Sequence, residues 1–188
     1  MNGMNKEQSE LLLDCIIDFL PPTTNHLTKP IVNKRTHKIG YHTDAKVAQQ
    51  KEIITATMRS FYRKYGHYNP YTDYAEFQLI LHCTNLGRWD IDNRVKAIQD
   101  CLRKDMAGVI EDDCKIWKLN VERVITGKDE DFCRVLVWKH TPKFDKTFTD
   151  EINRLTVQAD MGMLKDAADK AKLKRLNALY EKIEGVRY

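Results

Sequence analysis

No stretch of this chain is apolar for the length of a membrane span, and the longest apolar segment, residues 11–20, is broken by Asp14 and Asp18. A membrane partner is therefore not expected. The opening residues Met-Asn-Gly-Met-Asn-Lys-Glu-Gln contain no basic region leading into an apolar one, so no signal peptide is expected and the protein reads as cytoplasmic. Cysteine is sparse: Cys15, Cys83, Cys101, Cys114 and Cys133 form no C-x-x-C pair and have no close histidine partner. That spacing argues against a zinc site. The odd count reads as reduced thiols, mostly buried, without a catalytic role. No Asp-rich loop at EF-hand spacing occurs, which leaves structural Ca²⁺ poorly supported.

What is present suffices for one domain, or one domain with an appendage: 188 residues, 42% of them hydrophobic. The formal charge of +4 is modest but uneven. Residues 29–51 hold Lys29, Lys34, Arg35, Lys38, Lys46 and Lys51 against a single acid, Asp44, with His37 and His42 among them. This stretch reads either as a solvated surface or as a polyanion contact, with Lys34, Arg35, His37 and Lys38 as the candidate DNA-binding residues.

Periodicity gives the order of elements. Leu11, Leu13, Cys15, Ile17 and Phe19 alternate strictly, a strand that Pro21 and Pro22 end, and a polar, basic loop follows. Thr43-Asp44 starts a helix expected over residues 45–65 and stopped by Gly66. The aromatic segment 67–74 packs as a loop or stacks on exposed bases, with loop packing favoured. A second strand is expected over residues 77–84. Two more, over 116–125 and 132–140, are joined by Gly127-Lys128-Asp129-Glu130, which suggests a hairpin. The body is thus α+β, a small mixed sheet with packed helices over residues 1–143. Residues 144–188 form a helical C-terminal extension: proline-free over 150–185, rich in Ala, Leu, Lys, Asp and Glu, and read as one long helix or a pair broken near Gly162. It is too polar to be a domain alone, so packing on the body or on a second subunit is expected. Its basic run Lys165, Lys170, Lys172, Lys174 and Arg175 reads as a solvated face in preference to a DNA contact.

The chemistry concentrates between residues 89 and 113, in W-D-I-D-N-R-V-K and then G-V-I-E-D-D. Asp90 and Asp92 flank Ile91, so in an extended backbone both carboxylates point the same way. Asp92 suits the N-cap of a helix over about residues 93–103, on which Asp92, Lys96 and Asp100 share a face. After a turn at Gly108, Val109 and Ile110 read as a short buried strand delivering Asp112 and Asp113. Crowded carboxylates repel one another unless a cation neutralises them, and oxygen-only ligands favour Mg²⁺, with Mn²⁺ also suitable, over zinc. Mg²⁺ works with phosphate oxygens as co-ligands, and a neighbouring lysine suits a phosphate or a developing anion. Phosphodiester chemistry follows. Each residue alone has an ordinary reading as a cap, a turn or a solvated face; their combination is what carries the functional one.

The chain resembles the RusA family of Holliday-junction resolvases. The resemblance spans about residues 11–140: the early strand with Leu20-Pro21-Pro22-Thr23-Thr24-Asn25, Arg35-Thr36-His37, Asp90-Ile91-Asp92-Asn93-Arg94-Val95-Lys96, Asp100, and Gly108-Val109-Ile110-Glu111-Asp112-Asp113. It implies an endodeoxyribonuclease, of a family common in phages and prophages, in which Asp90, Asp92 and Asp113 hold Mg²⁺ and Lys96 is the essential lysine. Asp112 and Asp100 stand behind them. It also implies a homodimer whose paired sites nick two strands of a four-way junction symmetrically, in DNA recombination and repair. Two features depart from the pattern: Trp89 precedes the first aspartate where a basic residue or proline is common, and residues 144–188 lie outside the resemblance. Two competing readings remain, a branched-DNA-binding protein that does not cut and a nuclease acting on forks or flaps.

Overall fold

The computed structural model describes residues 10–23, 29–32, 35–36, 39–42, 44–85, 87, 91–164 and 166–184, with backbone alone at 29–32, 39–42 and 184. The chain divides into two compact units, residues 1–140 and 141–188.

In the first unit a four-stranded mixed sheet has the order β1 (Leu11–Ile17), β6 (Phe132–Lys139), β4 (Ala75–Cys83), β5 (Ile116–Ile125). β6 runs antiparallel to both neighbours, whereas β4 and β5 are parallel. The two strands expected to form a hairpin are therefore not partners, because β4 lies between them. The reason is burial. β6 carries the apolar run Val135-Leu136-Val137, all buried, and takes a central place, while β5 holds Lys118, Asn120, Glu122 and Arg123 and suits the edge. Gly127-Lys128-Asp129-Glu130 reverses the chain without deciding which strand the return leg meets.

The register stacks β1, β6, β4 and β5 residues in rows. Leu13, Val137, Phe77 and Leu119 form one row, and Cys15, Val135, Leu79 and Val121 the next. On this face lie α1 (Ala45–Lys64), through Ile54, Met58 and Tyr62, and α2 (Asp92–Leu102), through Val95, Ile98 and Leu102, in one core cluster. Their apolar residues recur at helical spacing, so each helix buries one stripe. The cover thins at the edge: Leu119 is 46% exposed although Phe77 beside it is fully buried.

The helix limits follow local chemistry. The Asp44 carboxylate accepts from the Lys46 amide at 2.9 Å to cap α1, and Gly66, at φ 84°, follows the helix end. The basic loop is more ordered than its composition suggests, since β2 (Lys29–Val32) and β3 (Ile39–His42) pair antiparallel and Arg35 and Thr36 turn between them. Periodicity over four residues is too short to reveal such strands. The aromatic segment packs as a loop. Tyr71 exchanges backbone hydrogen bonds with Val109 and Glu111, and the Tyr74 and Trp117 rings stand 4.4 Å apart.

In the second unit the helical pair is α3 (Lys146–Asp160) and α4 (Ala167–Glu184), separated at Gly162, where φ is 68°. Asp145 caps α3 by accepting from the Phe148 amide at 2.8 Å. Glu151, which pairs with Arg154 within α3, ties the two helices together through Lys172 of α4, at 2.6 Å. No helix among the described residues is long and apolar enough to cross a membrane.

Candidate active site

The β4–α2–β5 crossover positions the site. Parallel strands cannot be joined by a tight turn, so the chain leaves β4 at Cys83, forms α2, and returns through a second turn to start β5. Three side chains frame the segment that leads into α2. The Asp131 carboxylate accepts from the Thr84 amide at 2.7 Å and its hydroxyl at 2.8 Å. Arg123 of β5 donates to the carbonyls of Asn85, at 3.3 Å, and Gly87, at 3.1 Å. The guanidinium of Arg94 donates to the Pro21 carbonyl, joining the buried Pro21-Pro22 pair to the first turn of α2.

The two hydrogen bonds from Thr84 stabilise the charged form of Asp131 and hold its carboxyl below the usual range, the backbone amide contributing most. A carboxyl whose native pKa is depressed stabilises the fold at pH values above its unfolded pKa, and the contribution is lost as the pH falls through the native value. Asp131→Asn, which keeps an acceptor oxygen and removes the charge, is expected to be less stable than wild type at pH 7 and to close that gap below about pH 4. Urea denaturation of both proteins at pH 7 and pH 3 measures it; an unchanged gap refutes the electrostatic account.

α2 begins one residue earlier than expected. Asp92 lies within its first turn, and Ile91 occupies the cap position without a side-chain cap hydrogen bond. The shift follows from Ile91, which is already in the helical region at φ −65° and ψ −45°, so the aspartate enters the helix proper. Its charge is well placed there, against the positive end of the helix dipole. Asp92 and Lys96 line one open groove of about 670 Å³ with Gln99, Leu119, Val121 and Arg123, where α2 overhangs the edge strand.

Gly108, at φ 73°, makes the second turn possible, with its amide bonded to the Arg103 carbonyl at 2.9 Å. Val109 and Ile110 are fully buried as expected, but Ile110 makes only isolated bridges, to Tyr71 and Arg103, and no sheet strand forms here. A single 3₁₀ turn, Asp113–Lys115, follows. The Asp112 carboxylate caps it, accepting from the Cys114 amide at 3.1 Å, and this bond holds Asp112 below its ordinary pKa.

The turn brings Asp113 to α2. Lys96 Nζ lies 2.5 Å from Asp113 Oδ2 and 3.1 Å from Asp100 Oδ1. The bond to Asp113 raises the Lys96 pKa, so the ammonium stays charged at neutral pH. Asp100 uses its other oxygen on Lys51 of α1, 3.2 Å away. Sequence reasoning did not find Lys51 as part of this site, because nothing in its local spacing signals that α1 packs against α2.

Of the residues singled out from sequence, Lys96, Asp113 and Asp100 come together, Asp92 shares the groove with Lys96, and Asp112 turns to the backbone and to Arg103, 4.0 Å from its Oδ2. Arg35 lies exposed in the β2–β3 turn. Asp90, Lys34, His37 and Lys38 lie outside the described residues. Among the described residues no group of three or more His, Cys, Asp or Glu is gathered closely enough to hold a metal. The donors on hand, Asp92 and Asp113, are nonetheless hard carboxylate oxygens, and Asp113 already holds a cationic partner. Among the cysteines, burial pushes the Cys15 thiol up to about 12, and the bond with Asp112 raises that of Cys114.

An acidic motif and a lysine thus lie on a strand–helix crossover of a mixed α+β body, beside an open groove. The sequence model of the RusA endodeoxyribonucleases matches residues 21–137, more than half of the chain, and the protein belongs to that family of Holliday-junction resolvases. A search of curated proteins found no match.

Proposed function

We propose that the chain is a Mg²⁺-dependent endodeoxyribonuclease, also served by Mn²⁺, that resolves four-way DNA junctions as a homodimer through paired symmetric nicks in recombination and repair. The observation that carries this reading is the 2.5 Å contact of Lys96 with Asp113, which joins the acidic motif on α2 to the one after Gly108. Asp92 and Asp113, with Asp90, would hold the metal. When bound, Mg²⁺ lowers the pKa of a water ligand and neutralises charge on the scissile phosphate.

The residues of the chain divide the remaining work. The carboxylates orient the attacking water in line with the P–O3′ bond, and that bond breaks as the new P–O bond forms. This leaves a 5′ phosphate and a 3′ hydroxyl, ends that a ligase seals. Lys96 donates to the phosphoryl or leaving oxygen that gains charge. The groove beside Asp92 is open and partly apolar, which suits a strand laid across it, and the basic residues around Arg35 supply phosphate contacts. A bacterial or phage-infected cytoplasm is the setting this reading implies.

The test is cleavage of a labelled synthetic four-way junction beside a linear duplex and a flap of matched sequence, in Mg²⁺ or EDTA. Paired symmetric nicks in the junction alone, lost in EDTA, are expected. Binding without cutting in Mg²⁺ or Mn²⁺ overturns the catalytic reading. Faster cutting of the flap overturns the substrate.

A further inference from the structure

Lys51 is assigned no role by the functional reading above, yet it ends a chain of alternating charges that runs into the site. Along the chain of charges the order is Lys51, Asp100, Lys96, Asp113, with N–O separations of 3.2, 3.1 and 2.5 Å. Exposure follows the same order at the lysines: the Lys51 side chain is 23% exposed and that of Lys96 49%. Asp100 is the joint. Its Oδ2 faces Lys51 and its Oδ1 faces Lys96, one oxygen for each ammonium. α1 is packed close at this point, since the Lys51 carbonyl is 3.9 Å from Cys101 Sγ.

We propose that Lys51 is a positioning residue for the nuclease reaction, holding Asp100 and offsetting its negative charge so that the ammonium of Lys96 keeps its place and is left available to the phosphate. The inference rests on the nuclease reading and deepens it. Two physical effects act together. A lysine side chain is held in one geometry against considerable rotamer freedom, and an anchored Asp100 fixes the inner side of Lys96. The charges of the four groups also balance, two positive and two negative. Without Lys51 the group carries a net negative charge beside a site that must accept a polyanion, and Lys96 becomes the sole cationic partner within the group for both carboxylates.

Lys51→Met, Lys51→Arg, Asp100→Asn and the double variant Lys51→Met/Asp100→Asn distinguish this role from others, measured with wild type and Asp92→Asn in single-turnover junction cleavage. Lys51→Met is expected to slow the cleavage of bound junction about 10–100-fold, as loss of a supporting residue does, with the Kd for the junction within about threefold of wild type. Lys51→Arg restores the rate to within about threefold. The double variant is no slower than Asp100→Asn alone, because residues that act as one unit do not add.

Full activity of Lys51→Met, while Asp92→Asn is inactive, overturns the inference and leaves the nuclease reading standing. So does a defect confined to Kd, which makes Lys51 a DNA contact, or a double variant whose losses multiply. A lowered thermal midpoint in Lys51→Met with no rescue by Lys51→Arg makes the pair structural only. If wild type cuts no junction in Mg²⁺ or Mn²⁺, the nuclease reading fails and the inference falls with it.

Discussion

Asp92→Asn is expected to reduce junction cleavage by on the order of 10³-fold or more while leaving junction affinity within about threefold of wild type. The substitution keeps size and shape and removes one negative charge from the groove that Lys96 shares. A reaction that needs a carboxylate to hold a divalent cation cannot use the amide in its place, since a neutral oxygen is a far weaker ligand for a hard cation. Folding is little affected. Asp92 stands in the first turn of α2 and not at its cap, which Ile91 occupies, so the expected structural loss is a dipole interaction of about 0.3–1 kcal/mol. Binding is expected to persist because it rests on basic residues elsewhere. Cleavage rate, gel-shift affinity in EDTA and thermal midpoint, measured on one preparation, separate these effects; a variant that cuts within tenfold of wild type removes Asp92 from the catalytic set.

Phe77→Ala produces the largest expected loss of stability. Phe77 is fully buried on β4, in register with Val137 of β6 on one side and Leu119 of β5 on the other. Truncation to alanine removes most of an aromatic side chain from a close-packed core and leaves a cavity, at a cost of about 3–5 kcal/mol. For a chain of this size that lowers the thermal midpoint by about 6–20 °C. Activity falls with it, because β4 is flanked on both sides and its end at Cys83 leads into the segment that carries Asp92. Cleavage and binding are then lost together as the protein melts, the opposite of the Asp92→Asn pattern. Leu119→Ala is the control: Leu119, the neighbour of Phe77 in the same row, is itself 46% exposed, and its loss should cost well under half as much. Comparable midpoints for the two variants contradict the assigned sheet order, in which β4 is interior and β5 the edge.

Much of the site was legible because it depends on neighbours along the chain. The alternation of β1 and β4, the start and stop of α1 at Asp44 and Gly66, the placing of Lys96 and Asp100 on one face of α2, and the break at Gly162 all follow from backbone periods of two or 3.6 residues and from short-range caps and turns. The motif of Asp92, Lys96, Asp112 and Asp113 was visible for the same reason, and so was the family. Tertiary structure decided what neighbours along the chain could not. A turn at Gly127 reverses direction, but only the competition for burial puts β6 between β1 and β4 and leaves β5 at the edge, where the groove opens. The one-residue shift at the start of α2 was decided by the backbone of Ile91. Lys51 reaches Asp100 only because α1 and α2 bury their apolar stripes on the same face of the sheet, an arrangement set by the packing of the whole core.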